Sequence, residues 1–318
     1  MTARRWFLLV VAIAVVAATI AVGVIDQFRD RRARRPTTPS AIDAASLSLA
    51  DAAGSDVLAL TITPPTPGPV RLQLKIVGID ATGASAVLVT GVSKHGDRFV
   101  AHLAACGDGC FYGTASIQTA DTWTFTVHAT TAREPLTVRL IAPIPATDAH
   151  AALTNVVANM ERLRSLRVDE TLAGRVGGPI IRTEFRFVAP DRFTYMESGA
   201  AQASAVIIAH RRYDRDTPTA TWVAGDWGTP DGFTWPSSFY TDFWTPAAAV
   251  RMLGPAQLRG SPTHIIAFAA TKTDAWFRLW IGDSDGLVHR MEMRACSHTM
   301  NQDYDNFNHP ISIVAPTR

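Results

Sequence analysis

Residues 181–187 read IRTEFRF, and their alternation decides how the C-terminal half of this 318-residue chain folds. Ile181, Thr183, Phe185 and Phe187 point to one face of an extended strand, while the charged residues between them point to the other. A period of two is typical of an antiparallel sheet that buries one face and exposes the other. The stretch therefore predicts a sheet with an aromatic inner surface.

The same period continues along most of the C-terminal half. Further strands are predicted at 192–197, 204–214, 219–224, 263–271, 275–282, 286–295 and 297–304. The tetrapeptide Asp283-Ser284-Asp285-Gly286 is typical of a hairpin turn. Thr245–Leu253 instead predicts a short helix, with Thr245 as its cap and Pro246 at its first helical position.

A longer helix is predicted just upstream of these strands. Thr147 or Asp148 is a suitable N-cap, and apolar residues then recur at helical spacing. These residues are Leu153, Val156, Val157, Met160 and Leu163. A long amphipathic helix followed by a large antiparallel sheet predicts an α+β layer over residues 148–318, in which a curved antiparallel sheet forms a half-open barrel wrapped on the helix.

An all-β region precedes the helix. Apolar and polar residues alternate strictly in Val70–Ile76 (VRLQLKI), which indicates a strand with one buried face. Further strands are predicted at 57–63, 85–92, 97–104, 111–117, 123–127 and 136–140. Pro- and Gly-rich turns separate them. Six or seven short strands in residues 56–145 predict an Ig-like β-sandwich.

The N-terminal stretch Trp6–Ile25 has no charged residue in 20 positions. As a helix it would be about 30 Å long, which matches the hydrocarbon core of a bilayer. A cleaved signal peptide is the alternative, but its apolar core is usually shorter, and Asp26-Gln27-Phe28 is a poor cleavage site. Residues 1–25 are therefore predicted to be a transmembrane anchor helix, and residues 26–55 a juxtamembrane linker.

Two observations conflict over the side of the membrane on which the residues after the anchor lie. Five arginines between Arg29 and Arg35 follow the apolar stretch, and basic residues usually stay in the cytoplasm. Cys106 and Cys110 favour a disulfide, which needs an oxidising compartment, although free thiols or a metal site with His102 are alternatives. We predict a single-pass protein of the cell membrane with extracytoplasmic soluble domains, the arginines contacting anionic headgroups.

Several short motifs, taken in order, resemble a known family. They are Ala189–Phe193 (APDRF), Val206–Ile208 with Arg212-Tyr213, the hairpin Trp276–Arg290, and Tyr304–Asn308 (YDNFN). Through them, residues 148–318 resemble the LolA/LppX-like carriers of lipoproteins and lipids. The resemblance implies that the helix and the half-open barrel enclose an apolar cavity for acyl chains.

The C-terminal half is rich in aromatic residues, most of which must form core. A subset is expected to line the ligand cavity: Phe185, Phe187, Phe193, Tyr195, Phe233, Trp235, Phe239, Phe243 and Trp244. The segment 227–244 (WGTPDGFTWPSSFYTDFW) is either a lid over this cavity or a plain structural loop.

Copper is the alternative ligand. Through Cys106–Phe111 and Trp123–Val127, residues 56–145 resemble the extracytoplasmic β-sandwich of copper-resistance proteins of the CopC/CopD and YtkA type. Cys296, His298 and Met300 alternate along a predicted strand, and thiolate, imidazole and thioether groups suit Cu(I). A strand that packs Met and Cys into a core is the competing interpretation, and we favour it, so no metal or other cofactor is predicted.

Charge and motifs limit the remaining function classes. The net charge is +2, and much of the basic excess follows the apolar stretch, so nucleic-acid binding is not indicated. The chain lacks H-E-x-x-H and dinucleotide-binding glycine motifs, so we expect no enzyme. The predicted function is that of a membrane-anchored extracytoplasmic protein that binds a lipid or another apolar ligand. A copper-handling envelope protein, or an interaction scaffold for another envelope membrane protein, is the alternative.

Overall fold

The computed structural model describes residues 42–78, 83–227, 244, 246–270, 273–295 and 298–317. The expected anchor, residues 1–25, and most of the expected linker lie outside them. Within the described residues, no helix is long and apolar enough to cross a membrane. Ile42–Arg318 form one compact unit built on two antiparallel sheets.

The first sheet contains eight strands in the described part of the chain. They are β1 (Leu47–Ala53), β2 (Asp56–Thr63), β3 (Gly68–Val77), β4 (Ala86–Ser93), β5 (Arg98–Gly107), β6 (Cys110–Ile117), β7 (Asp121–Thr130) and β8 (Pro135–Ile144), in the order β1-β2-β3-β6-β5-β4-β7-β8. β5 pairs first with β4 and then with β6, and β1 lies beside β8. The all-β prediction is confirmed, but β5 joins the two halves into one nearly closed sheet, unlike the two separate sheets of an Ig-like sandwich.

Residues 47–53 do not belong to the linker in which the sequence places them. They form β1, which pairs with β2 along its whole length. Leu47 is fully buried and Leu49 is nearly so, in the same core as Trp123 and Phe125. The two leucines alternate too briefly to identify a strand, because their burial depends on strands that come later in the chain.

Cys106 and Cys110 form a disulfide across the turn between β5 and β6, with their Cα atoms 5.1 Å apart. The cross-link closes a loop of sequence separation 4. It restrains little of the unfolded chain, because the loop-closure entropy that a cross-link removes grows with the length of the loop.

The double change Cys106→Ser/Cys110→Ser should therefore lower the free energy of unfolding by about 2 kcal/mol at most. Urea unfolding of the full chain, followed by tryptophan fluorescence, measures this loss. Reduction of the wild-type protein with dithiothreitol should give the same loss. A variant that no longer folds would show that the turn stabilises the sheet by more than loop closure.

The second sheet follows a single described helix, α1 (His150–Glu161). Its strands, in the described residues, are β9 (Ser165–Ala173), β10 (Ile180–Val188), β11 (Arg192–Gly199), β12 (Ser204–Ile208), β13 (Arg211–Arg215), β14 (Val223–Asp226), β15 (Ala247–Leu258), β16 (Ser261–Ala270), β17 (Ala275–Gly282), β18 (Val288–Ala295) and β19 (His298–Asp305). The order is β14-β13-β12-β11-β10-β9-β19-β18-β17-β16-β15. The predicted helix followed by a large antiparallel sheet is present.

Helix α1 buries the apolar stripe that the sequence predicts, with Leu153, Val156 and Met160 in the core. Its N-cap residue is Ala149, not the predicted Thr147 or Asp148, and it makes no side-chain capping bond. The Asp148 carboxylate, one residue earlier, accepts a hydrogen bond from the backbone N–H of His150 at 3.1 Å. This bond satisfies one of the N–H groups that a helix start leaves free.

The helix predicted at Thr245–Leu253 is wrong for the described part of that stretch. Ala247–Leu258 form strand β15, which pairs with β16 through two register shifts, and Ala249 has a φ of 52°. A Thr-Pro start and an alanine run favour a helix locally. Pairing with the apolar strand β16 overrides this local preference, because it buries Val250 completely.

The two sheets pack against each other through β1–β3 and β15–β18. Trp276 Nε1 donates a hydrogen bond to Ser48 Oγ at 3.0 Å, and Arg294 Nε lies 3.0 Å from Asp51 Oδ1. Arg251, only 6% exposed, reaches from β15 to the chain just before β1. The described residues therefore join the two predicted soluble domains through buried polar contacts.

Candidate functional site

One face of the second sheet forms an apolar interior together with α1. Phe187 pairs with Leu166 on β9 and with Phe193 on β11, so these inward side chains lie in one row. A single core cluster contains side chains from α1, from β9–β12 and from β15–β19. Strands at both ends of an open sheet reach one cluster only if the sheet curves, and we call its inner surface the concave face.

Four of the aromatic residues expected to bind ligand meet on the concave face. The ring centroids of Phe187 and Phe193 are 4.9 Å apart, and those of Phe185 and Phe193 are 5.9 Å apart. Phe187 is fully buried and Tyr195 is 8% exposed, whereas Phe185 is half-buried. These rings pack on one another, so they belong to the core as well as to any ligand wall.

Trp244 is the other described member of the predicted ligand set. It is 1% exposed, and its Nε1 donates a hydrogen bond to Met291 Sδ at 3.3 Å. Phe233, Trp235, Phe239 and Phe243 lie outside the described residues, and with them most of the segment that the sequence suggests as a lid.

Helix α1 lies over one side of the concave face. The backbone N–H of Ala149 donates to the Val250 carbonyl at 3.1 Å, and the Met160 sulfur accepts from the backbone N–H of Val288 at 3.4 Å. The helix thus lies against β15 and the start of β18. The aromatic group on β10 and β11 is several strands further along the sheet.

A row of polar side chains crosses the concave face next to the aromatic group. Gln302 pairs with Glu170, Glu170 with Thr183, and Thr183 with Glu197, across β19, β9, β10 and β11. Glu170 is 7% exposed, Gln302 is 2% exposed and Thr183 is 4% exposed. Polar side chains at this depth are uncommon unless they are hydrogen-bonded. We call these four residues the polar row.

Hydrogen bonds hold one end of the polar row. The Tyr304 hydroxyl donates to Gln302 Oε1, and Gln302 Nε2 donates to Glu170 Oε2 at 2.6 Å. Burial raises the pKa of the Glu170 carboxyl to about 7, an effect that the bond from Gln302 opposes and the charge of Glu197 reinforces. Burial also raises the pKa of Glu197. The two carboxyls are thus electrostatically coupled within one buried face.

The sequence patterns single out neither glutamate. Thr183 appears in them only as an inward position of β10, and Glu170 lies on β9, a strand that was not predicted. The signal that identifies the row is a polar residue at a position where the alternation demands an apolar one. Glu170 is in phase with Leu166, Val168 and Leu172, and Gln302 is in phase with Met300 and Tyr304.

The change Glu170→Gln should remove a pH-dependent loss of stability. An acid whose pKa is raised by folding favours the native state below its unfolded pKa, near 4.5, and this contribution is lost as pH rises to about 7. The difference corresponds to about 3 kcal/mol for a shift of this size. The variant should therefore equal wild type near pH 4.5 and be more stable by up to that amount at pH 8.

Urea unfolding of the full chain at the two pH values measures this gain. Glu161→Gln, at the exposed end of α1, is the matched control and should show no gain at either pH. Equal stability of Glu170→Gln and wild type at pH 8 would mean that the Glu170 carboxyl is well solvated.

Arg212 is paired on the same face. Its Nε lies 2.7 and 2.8 Å from the two carboxylate oxygens of Asp214, its Nη2 donates to the Tyr195 hydroxyl at 3.2 Å, and its guanidinium lies 4.9 Å from the centre of the Trp227 ring. Asp214 neutralises the charge of Arg212, so the pair adds no net charge to the concave face.

The alternative copper ligands are not assembled by the described residues. Cys296 lies outside them. Burial lowers the pKa of His298, and Met300 is 6% exposed in the core beside Met293. Among the described residues, no group of three or more His, Cys, Asp or Glu could hold a metal ion. The copper site therefore stays an untested alternative, and the resemblance of residues 56–145 to copper-resistance proteins stays a prediction.

Ser284 lies in a stretch, Gly282–Gly286, that has the G-x-S-x-G spacing of a nucleophile elbow. That motif requires a strand-to-helix turn, whereas this stretch forms the hairpin between β17 and β18. His264 pairs with Asp283 at 2.7 Å and His289 with Asp285 at 3.0 Å. Within the described residues neither histidine is hydrogen-bonded to Ser284, so the spacing does not form a catalytic triad.

Two depressions lined by described residues lie away from the concave face. One, of about 10 Å³, lies between the sheets beside Trp276 and Ser48. The other is an open groove of about 540 Å³ on the outside of β4, β7 and β8, lined by Val92, Lys94, Arg139 and Ile141 among others. On the concave face, the described apolar side chains pack on one another in one cluster.

No protein-family model and no curated protein matches this chain. Solved structures similar to it include LprF from Mycobacterium bovis, at 11% identity over 56% of this chain and 100% of that chain, with a TM-score of 0.39. Lipoprotein LppX from Mycobacterium tuberculosis is similar at 13% identity over 52% of this chain and 97% of that chain, with a TM-score of 0.39.

A DUF1329 family protein from Desulfovibrio piger is similar at 9% identity over 52% of this chain and 96% of that chain, with a TM-score of 0.27. The resemblance to LppX-like proteins predicted from the sequence agrees with these neighbours. At TM-scores below 0.5 the likeness carries no argument about the fold or the ligand of this chain.

Proposed function

We propose that this chain is a non-enzymatic, membrane-anchored extracytoplasmic protein that binds a lipid or another apolar molecule against the concave face of its second sheet. The observation that carries the proposal is the composition of that face. Stacked aromatic rings on β10 and β11 adjoin the buried polar row, so the face has a place for an alkyl chain beside a place for a polar group.

Apolar burial supplies the affinity. Each methylene of an alkyl chain moved from water onto the aromatic group contributes about 0.8 kcal/mol. Phe185 is the half-buried member of that group, so it marks the point where a chain first gains contact. Displacing rings that already touch one another offsets part of the gain, which favours long alkyl chains over short ones.

The anchor and the compartment are part of the same proposal. Trp6–Ile25 is an uncharged stretch of bilayer length. The disulfide between Cys106 and Cys110 supports an oxidising compartment, which for an anchored protein is the outer side of the membrane. The ligand source would then be the adjacent membrane.

Quenching by a brominated alkyl chain tests the location of the ligand. Bromine quenches tryptophan fluorescence only at close range, and Trp227 and Trp244 both pack in the core of the second sheet. Titration of the full chain with 12-bromododecanol should quench its fluorescence, and Trp227→Phe and Trp244→Phe should each reduce the quenched fraction. A Trp6→Phe background removes the tryptophan of the N-terminal apolar stretch.

Trp123→Phe is the matched control, because Trp123 is fully buried in the core of the first sheet. That change should leave the fluorescence intensity lost to bromine unaltered, although this loss becomes a larger fraction of the remaining emission. Two outcomes would overturn the proposed function. One is that the quenching is lost when Trp123 is replaced. The other is that 12-bromododecanol causes no saturable quenching of any tryptophan.

A further inference from the structure

The polar row restricts the chemistry of the ligand, and this inference rests on the proposed function. Glu170 and Glu197 stand on β9 and β11, with Thr183 on the strand between them. Neighbouring strands lie about 4.8 Å apart, so the backbones that carry the two carboxyls are roughly two strand spacings apart, with Thr183 between them. Their electrostatic coupling is consistent with both side chains projecting from the same face of the sheet.

No described cation compensates the two carboxyls. Glu170 accepts a hydrogen bond from the neutral Gln302, and within the described residues Glu197 has no side-chain partner. The one arginine of β13 on this face, Arg212, is held by Asp214. The sequence from 228 to 243 contains Asp231 and Asp242 but no Lys, Arg or His.

Thr183 is the second, independent observation. The residue is 4% exposed, and it lies between the two glutamates on the concave face. Within the described residues its hydroxyl has no hydrogen-bond partner. A hydroxyl with so little contact with water gains when a ligand supplies a hydrogen-bond partner.

We propose that the polar row binds the head of an amphiphile that carries hydrogen-bond donors and no negative charge, such as an ammonium or a hydroxyl group. The carboxylates accept these donors, and Thr183 completes the contact. A carboxylate or phosphate head would place a third negative charge beside two that are already uncompensated. The row therefore selects the head group, while the aromatic group binds the alkyl chain.

Competition among three probes of equal chain length tests this selection. Dodecylammonium, dodecanol and dodecanoate are each titrated, at pH 8, against N-phenyl-1-naphthylamine bound to the full chain in one fixed detergent. The ammonium probe and the alcohol should each displace half of the bound dye at a concentration at least about tenfold lower than dodecanoate needs. Each concentration is first corrected for the partition of that probe into the detergent alone.

The double change Glu170→Gln/Glu197→Gln should reduce the preference for ammonium over carboxylate to about threefold or less. Thr183→Val, which keeps the shape and removes the hydroxyl, should weaken displacement by the alcohol. If the double variant does not fold, Thr183→Val still tests whether the polar row contacts the head group. Glu161→Gln, on the exposed end of α1, controls for the loss of a carboxylate elsewhere and should leave all three probes unchanged.

The outcomes separate this inference from the proposed function. Displacement of bound dye by all three probes with equal strength, or preferentially by dodecanoate, would overturn the head-group inference and leave apolar binding intact. Absence of any dye or probe binding would overturn both. A preference that survives unchanged in the double variant and in Thr183→Val would place the selecting groups outside the polar row.

Discussion

Phe187→Ala is expected to lower the free energy of unfolding by about 3–5 kcal/mol, the usual cost of removing a fully buried aromatic side chain. Phe187 has no exposed surface, stacks on Phe193 at 4.9 Å and pairs with Leu166 on β9. The change would leave a cavity at the centre of the aromatic group. Urea unfolding of the full chain, followed by near-ultraviolet circular dichroism, measures the loss.

Tyr112→Ala is the matched control, because Tyr112 is an aromatic strand residue with 53% of its surface exposed. Its loss should cost less than about 1 kcal/mol. A similarly small cost at Phe187 would mean that the aromatic group is loosely packed, as expected of a cavity wall kept open for a ligand. The experiment therefore measures how much of the concave face is core and how much is available for binding.

Arg251→Met is expected to lower the free energy of unfolding by about 2–4 kcal/mol, because it leaves the buried Ser46 carbonyl without a donor and removes two further polar contacts of the guanidinium. Arg251 Nε donates to the Ser46 carbonyl at 2.9 Å, and Nη2 donates to the Ala44 carbonyl at 2.7 Å. Nη1 lies 3.1 Å from the Asp148 carboxylate just before α1. Methionine keeps the apolar length of the side chain but donates no hydrogen bond. Thermal unfolding measures the effect.

Arg211→Met provides the contrast. Arg211 pairs with Asp226 at the same distance of 3.1 Å, but the two side chains are 57% and 90% exposed. An exposed ion pair contributes no more than about 1 kcal/mol, so this variant should resemble wild type. Equal effects at the two positions would show that the contacts of Arg251 with the chain before β1 are as well solvated as a surface pair.

The two arginines also show why sequence patterns could not predict the joining of the sheets. Both occur in stretches that form strands, and nothing local distinguishes them. Arg251 is buried because the chain before β1 returns to it across more than two hundred residues, whereas Arg211 faces water at the edge of the sheet. Ser48 and Trp276, which also contact each other, are 228 residues apart along the chain. Contacts of this kind depend on topology, which local propensity does not encode.

The glutamates of the polar row illustrate the same limit within the candidate site. Phe185, Phe187, Phe193 and Tyr195 were predictable as neighbours, because apolar alternation in consecutive hairpins places them on one face. Glu170 and Gln302 are 132 residues apart and meet only because the last strand pairs with the first strand of the sheet. Thr245–Leu253 shows the reverse case, since its local helix signals were clear and pairing with β16 overrode them.

The sequence by itself determined most of the strands, the apolar face of each of those strands, and where the chief amphipathic helix lies. Side-chain alternation follows directly from backbone geometry, so no distant partner is needed to predict it. Only the tertiary structure decided that β1 belongs to the first sheet, that β5 nearly closes that sheet, and that the buried Glu170, the buried Thr183 and the half-buried Glu197 stand side by side on the concave face. Strand order and register bring these groups together, and both arise from burial summed over the whole chain.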